Sequence, residues 1–259
     1  MLLKDKVAVI YGAGGAVGGA VARAFAREGA RLFLTGRHVV PVEAVAKEIA
    51  SAETSEVDAL DEQAVDRHLQ SVIEKAGRVD ISFNAIGIPN TTLQGVPLAE
   101  LAVEQFSLPI ATYTRSYFLT ARLAARRMVA KRSGVIMTVT SIPSRTAIPL
   151  MGGVGPAMSA VEALTRDLSA ELAPQGIRVV GLRPQGMPES GTMKEVFGLH
   201  AKAWGVSREQ FQEMIANRTH MRRLTTLEET ADVAAFMASD QASAMTGTIV
   251  NLSIGSLDD

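Results

Sequence analysis

Val7-Ala8-Val9-Ile10-Tyr11 runs straight into Gly12-Ala13-Gly14-Gly15-Ala16-Val17-Gly18-Gly19. The first five residues are apolar and partly β-branched, bounded by charge on one side and glycine on the other. That is the mark of a buried parallel strand. The glycines then make a turn. Ala20 to Glu28 has helical character and stops at Gly29, a residue suited to the C′ position. Between a strand and a helix, a glycine cluster reads as a phosphate cradle. Backbone N–H groups can approach a pyrophosphate closely there, and the helix N-terminus adds the positive end of its dipole. The candidate cofactor contacts in this loop are Gly12, Gly14, Gly15, Ala16, Val17 and Gly18. The alternative is a tight turn that uses glycine for purely structural reasons.

Outward from this unit, the same rhythm repeats. Strands are expected at Arg31–Thr35, in a weaker segment ending at Val57, and at Val79–Phe83, Val135–Val139, Ile177–Leu182 and Thr248–Leu252. Helices are expected at Val42–Ala50, Glu62–Ala76, Gln105–Ala130, Ala157–Ala173 and Thr226–Ser239. Strands alternating with helices imply an α/β fold: one doubly wound parallel sheet of about seven strands, Rossmann-type, with helices on both faces. No Pro/Ser/Gly-rich linker divides residues 1–259, so a single dinucleotide-binding domain is expected. Gln185–Arg222 breaks the rhythm. An insertion of this kind, after a strand's C-terminal end, suits a substrate lid.

The second strand sets the cofactor expectation. It ends at Thr35-Gly36-Arg37-His38, with no acidic residue to bind a ribose 2′-hydroxyl. Arg37 offers a planar fork for a 2′-phosphate, which favours NADP(H) over NAD(H). The competing reading of Arg37 is a solvated loop arginine. Asp58, after the third strand, is a candidate acceptor for the adenine amino group.

Composition narrows the remaining classes. The net charge of −1 gives no general attraction to nucleic acid or an anionic membrane. With no cysteine there is no disulfide framework, thiolate nucleophile or cysteine-based metal site. The apolar runs are too short to span a bilayer. Met1–Ile10 lacks the long apolar stretch of a secretory signal, so a cytoplasmic protein is expected. The four histidines, His38, His68, His200 and His220, show no metal-ligand spacing and are read as surface or loop residues. Arg122, Arg126, Arg127, Lys131 and Arg132 read as a solvated face complementing the dipole of the long helix. Met187, Met193, Trp204 and Met214 suit an apolar pocket or ordinary core packing.

Taken in order and spacing, these residues resemble the short-chain dehydrogenase/reductase family over nearly the whole chain. The resemblance rests on the Gly12–Gly18 loop, Val57-Asp58, Asn84-Ala85-Ile86-Gly87 and Thr140-Ser141. It continues through Ser159 to Leu164, Gly176-Ile177-Arg178-Val179, Arg183-Pro184, and the C-terminal run from Thr226 to Gly247. It adds Asn84, Ala85 and Pro184 to the cofactor-binding candidates. It also implies a small-molecule substrate and a homodimer or homotetramer. The loop departs slightly, with Ala16 where the family pattern has glycine.

The larger departure is chemical. The resemblance implies a tyrosine that moves a proton and a lysine four residues later that lowers its pKa and binds the nicotinamide ribose. It also implies a serine that polarises the substrate oxygen and an asparagine that supports the lysine. Ser141 matches the serine. At the family's spacing the tyrosine falls on Val154, the lysine on Met158 and the asparagine near Tyr113. Positioned acid–base catalysis contributes about 10²–10⁴-fold, so the usual mechanism is expected to be severely impaired. Tyr113 is a candidate substitute, with Arg145 supplying positive charge; otherwise it fills the space of the missing lysine or packs in an interface. Ser144 and Arg145 are weighed as anion contacts or as plain loop residues.

Three readings follow. One is an NADP(H)-dependent oxidoreductase acting on a carbonyl or alcohol by a non-standard or impaired mechanism. Another is a catalytically silent nucleotide- or ligand-binding protein, or a partner subunit. The third is a non-redox lyase or isomerase that has reused the cleft.

Overall fold

The structure, a computed structural model, describes residues 1–49 and 52–258. In chain order its elements are β1 (Val7–Tyr11), α1 (Ala16–Arg27), β2 (Arg31–Gly36), α2 (Val39–Ala46) and β3 (Ala52–Glu56). They continue with α3 (Glu62–Ala76), β4 (Ile81–Asn84), α4 (Val103–Met128), β5 (Gly134–Val139), α5 (Val154–Leu172) and β6 (Ile177–Pro184). The last are α6 (Gly191–Trp204), α7 (Arg208–Ala216), α8 (Leu227–Ala238) and β7 (Thr248–Leu252).

The seven strands form one parallel sheet in the order β3-β2-β1-β4-β5-β6-β7. The doubly wound expectation holds. Strand order reverses between β1 and β4, where Tyr11 pairs with Thr35 on one side and Asn84 on the other. A crevice opens at such a switch point, beyond the carboxyl ends of the strands.

Alternate residues of each strand feed two cores. Ala8, Ile10, Leu32, Leu34, Ile81 and Phe83 pack beneath α1, α2 and α8. Val7, Val9, Tyr11, Phe33, Ile136 and Val179 pack beneath α3, α4 and α5. A smaller cluster of Val196, Phe197, Ala201, Phe211 and Leu224 holds α6 and α7 together in the segment between β6 and α8.

Helix starts differ most from the sequence reading. α1 begins at Ala16, a turn earlier than the expected Ala20. Glycine disfavours a helix interior, but here the bare backbones of Gly18 and Gly19 allow close packing. A Cβ on Gly18 would sit 2.4 Å from the Gly12 carbonyl oxygen, and one on Gly19 would sit 3.2 Å from Val45. α5 begins at Val154 rather than Ala157, with Pro156 in its first turn, where a missing N–H costs no helical bond. α2 begins at Val39 rather than Val42; its expected last residue, Ala50, lies outside the described residues. By contrast, α3 matches its expected bounds. Asp61 caps its first turn through Gln63 and Ala64, and Gly77 ends it at φ 72°.

Two histidine expectations are corrected. His68 lies on the buried face of α3 and His200 on that of α6, at 8% and 2% exposure. Burial pushes His68 down to about 4, so it stays neutral. His38 and His220 are exposed as expected. The basic face of α4 is only partly solvated: Arg122 pairs with Glu62 and Arg127 with Asp66, both on α3. Among the described residues no helix is long and apolar enough to cross a membrane.

Candidate active site

One cavity of about 610 Å³ lies along the switch point. Its first end is built from backbone. Gly12 takes φ +76°, and a Cβ there would fall 2.6 Å from the Ala85 carbonyl oxygen. Gly14 lies so near α2 that a Cβ would meet Pro41 at 2.7 Å. Gly15 is the N-cap of α1, and no side chain caps the helix. The first-turn N–H groups are therefore left for an anion. Arg37 and His38 stand exposed at this end.

The structure brings Gly12, Gly14, Gly15, Ala16, Val17, Arg37, Ala85, Tyr113, Ser141 and Pro184 to this one cavity. Gly18, Asp58 and Asn84 do not line it. Gly18 packs against the Gly12 carbonyl instead. Asp58 is exposed and accepts a hydrogen bond from the Leu60 N–H at 2.9 Å. Asn84 is buried: its Nδ2 donates to Thr120 Oγ1 at 3.1 Å and its Oδ1 accepts from the Ile86 N–H at 3.1 Å. It thereby orders the Ala85–Ile88 segment that walls the cavity.

The middle of the cavity is where proton transfer is expected. Ser141 leaves the end of β5 with an extended backbone, and its carbonyl accepts the Ser144 N–H at the start of a short turn, Ile142–Ser144. Val154 and Met158, one helical turn apart on α5, lie opposite and are 6% and 5% exposed. They pack with Ile110, Tyr113 and Met151. Tyr113 thus packs into the same apolar corner as Val154 and Met158. Burial pushes its phenol above the ordinary tyrosine range, although a hydrogen bond from the Ile88 backbone pulls the other way. A proton-moving tyrosine needs the opposite shift. Arg145 is exposed and does not line the cavity.

Behind Ser141 sits a buried ion pair that residue spacing did not reveal. Glu162, on the inner face of α5, accepts from Arg183 Nε at 2.8 Å and Arg183 Nη2 at 2.9 Å. Its Oε1 also takes the Thr140 hydroxyl at 3.0 Å and the Ser144 hydroxyl at 2.6 Å. Burial raises the Glu162 carboxyl, but the donors from Arg183, Ser144 and Thr140 outweigh it and hold it below the usual carboxylate range. The network ties the Ser141 loop to the end of β6, on both sides of the cleft. Ser144 therefore serves Glu162. A carboxylate in the middle of an apolar helical run was the available signal for this network; its partners are distant in sequence.

A family model described as enoyl-(acyl carrier protein) reductase matches residues 12–256. The chain belongs to the short-chain dehydrogenase/reductase family. It is 31% identical over 249 residues to "Uncharacterized oxidoreductase YxbG" of Bacillus subtilis (strain 168), covering 95% of this chain and 88% of that protein. Among solved structures it superposes on NAD+-bound xylitol dehydrogenase with a TM-score of 0.91, at 26% identity, covering 98% of this chain and 100% of the other. It also superposes on 3-ketoacyl-(acyl-carrier-protein) reductase from Brucella melitensis complexed with NADH, with a TM-score of 0.85 at 28% identity, covering 98% and 99%. The chain is thus a family oxidoreductase by descent. Its glycine cradle fits a dinucleotide pyrophosphate. Val154 and Met158, which line the same cavity, present apolar side chains without a hydrogen-bond donor.

Proposed function

We propose that this chain binds NADP(H) together with a small carbonyl or alcohol substrate, and acts as an oxidoreductase whose proton transfer is impaired. The observation that carries this reading is the sharing of one cavity by the Gly12–Val17 cradle, Arg37 and Ser141, with Val154 and Met158 across from the serine. Gly12, Gly14, Gly15, Ala16 and Val17 hold the pyrophosphate. Arg37 pairs with the 2′-phosphate, and Ala85 and Pro184 border the dinucleotide. Gly18, Asn84 and Asp58 contribute from outside the cavity lining, the first two by shaping it. Bound NADP(H) supplies the hydride donor or acceptor. Ser141 Oγ donates a hydrogen bond to the substrate oxygen. Neither Val154 nor Met158 has a proton to give, so the proton comes from solvent or from Tyr113, whose raised pKa makes it a poor donor.

The packing of Tyr113 against Val154 and Met158 favours a second reading: a catalytically silent binding protein or partner subunit that keeps the cleft and has lost turnover. The lyase or isomerase reading has less support, since among the described residues no paired acid and base flank Ser141. A single cytoplasmic domain spanning 1–259, with the lid near 185–222, goes with either favoured reading. Exposed Val103, Leu108 and Phe118 on α4 support a homodimer or homotetramer.

The test is a fluorescence titration of the purified chain with NADPH beside NADH. Saturable binding, tighter for NADPH, is expected. No binding of either at millimolar concentration sinks the cofactor assignment and, with it, the oxidoreductase reading.

A further inference from the structure

The end of the cavity away from Arg37 is roofed by the lid. Met187, Met193, Val196, Phe197, Phe211 and Ile215 line it with apolar surface. Among the described residues only two charged side chains border the whole cavity, Arg37 at the cofactor end and Glu195 on α6. Glu195 Oε1 accepts from the Asn90 N–H at 3.1 Å and the Thr91 hydroxyl at 2.5 Å. Its second oxygen has no protein donor among the described residues.

Beside Glu195 runs a buried polar chain that lines the same end. Gln94 Nε2 donates to Asn90 Oδ1 at 2.7 Å, and Asn90 Nδ2 donates to the Ile88 carbonyl at 3.1 Å. Gln94 Oε1 lies 3.2 Å from His200 Nε2. The Gln94 amide is oriented by Asn90, so its oxygen faces the histidine and His200 Nε2 carries the proton. His200 stacks on Phe211 with ring centroids 5.6 Å apart. Burial pushes its imidazole below the ordinary range, so it adds no positive charge at neutral pH. This end of the cavity therefore presents apolar surface, uncharged amides and one carboxylate, with no cation.

We propose that the lid end of the cleft receives an apolar molecule whose hydroxyl or ammonium group donates to Glu195, and rejects carboxylates and phosphates. The proposal rests on the cleft being the ligand site of the function proposed above. Its physical basis is the repulsion between an anion and the half-buried Glu195 carboxylate, at an end of the cleft lined by apolar side chains and, among the described residues, by no cation. A ligand with a donor instead completes the half-used acceptor set of Glu195, and sites of that kind discriminate strongly by hydrogen bonding.

Trp204, the sole tryptophan, gives a readout independent of turnover. Its ring meets Phe211 edge-on at 6.0 Å, and Phe211 lines the cavity. Trp204 emission is titrated in the full chain with octylamine, octanol and octanoate, which share one chain and differ in head group. Octylamine and octanol are expected to saturate, with octanoate about tenfold weaker than octylamine or worse. Glu195→Gln keeps an acceptor for Asn90 and Thr91 while removing the charge. It is expected to weaken octylamine, strengthen octanoate and leave octanol within about twofold, which also reports an intact site. Equal or tighter binding of octanoate in the wild type overturns the proposal. So does the absence of saturable binding by all three, or an order of head groups that Glu195→Gln does not change. If that variant fails to fold, the wild-type order alone decides. NADPH is titrated separately into the same samples. Loss of NADPH binding with the head-group order intact defeats the cofactor assignment and not this one; the reverse pattern defeats this one alone.

Discussion

At one end of the cleft the wall is main chain: Gly12 at φ +76°, Gly14 against Pro41, and Gly15 at an uncapped helix start. At the reaction corner the wall is side chain: Val154, Met158 and Tyr113 in an apolar cluster. The first surface offers backbone N–H groups, whose presence does not depend on side-chain identity. The second is set by side-chain identity: Val154 and Met158 pack soundly there and carry no titratable proton. Between them, the Glu162–Arg183 network still holds the Ser141 loop, with both side chains 3% exposed. A buried ion pair is costly to keep unless its partners are complete. The Ser141 loop is therefore held by a complete polar network beside a corner of apolar side chains.

Refilling that corner is the strongest way to break the contrast. Val154→Tyr with Met158→Lys should raise NADPH-dependent reduction of neutral apolar ketones by about 10²–10⁴-fold, followed as loss of NADPH absorbance. Because Tyr113 fills the space a lysine needs, adding Tyr113→Asn should increase the gain. A folded, NADPH-binding variant with no gain would mean the corner differs in more than these side chains.

Next in size is the network between the two regions. Glu162→Ala leaves Arg183 buried without its carboxylate and should cost about 3–5 kcal/mol in urea unfolding. The pH dependence has a defined sign. The Glu162 carboxyl is held below its unfolded value, so its contribution is complete above the unfolded pKa and is lost as pH falls through the folded one. Glu162→Gln should remove that part of the acid sensitivity. If wild type and Glu162→Gln lose stability in parallel on acidification, the network is not ionised as described.

The cradle sets a smaller effect. Gly12→Ala forces a side chain into positive φ and against the Ala85 carbonyl. It should lower stability by about 1–3 kcal/mol and abolish NADPH binding. Unchanged binding would show that the loop tolerates rearrangement and is not a rigid cradle. Arg37→Ala should weaken NADPH by about ten- to a hundredfold, the worth of a charge-assisted hydrogen bond, with NADH unchanged. Equal losses for both cofactors would assign Arg37 a general role instead. Smallest of all, Tyr113→Phe should leave any residual turnover within about twofold. A larger drop would make Tyr113 the substitute proton donor after all.

Much of the fold was legible along the chain. β1, α3 and β7 have the bounds expected for them, Val7–Tyr11, Glu62–Ala76 and Thr248–Leu252. Helix starts were less legible at α1 and α5. There, glycine and proline read as breakers, yet close packing and first-turn geometry accept them. The candidate site divides in the same way. The glycine loop and Arg37 were read from local order, and Ser141, Val154 and Met158 only from the spacing that the family resemblance implies. Glu162 with Arg183, and Glu195 with Asn90, Gln94 and His200, do not: their partners lie 21 and more than 100 residues apart.

By itself the sequence determined a parallel α/β sheet and a glycine-rich turn between its first strand and first helix. Both are written in short-range residue order, through periodicity and turn chemistry. Only the tertiary structure decided what packs around Val154 and Met158, what holds the Ser141 loop and which charges face the cleft. Those depend on burial, and burial arises when segments far apart in the chain exclude water together.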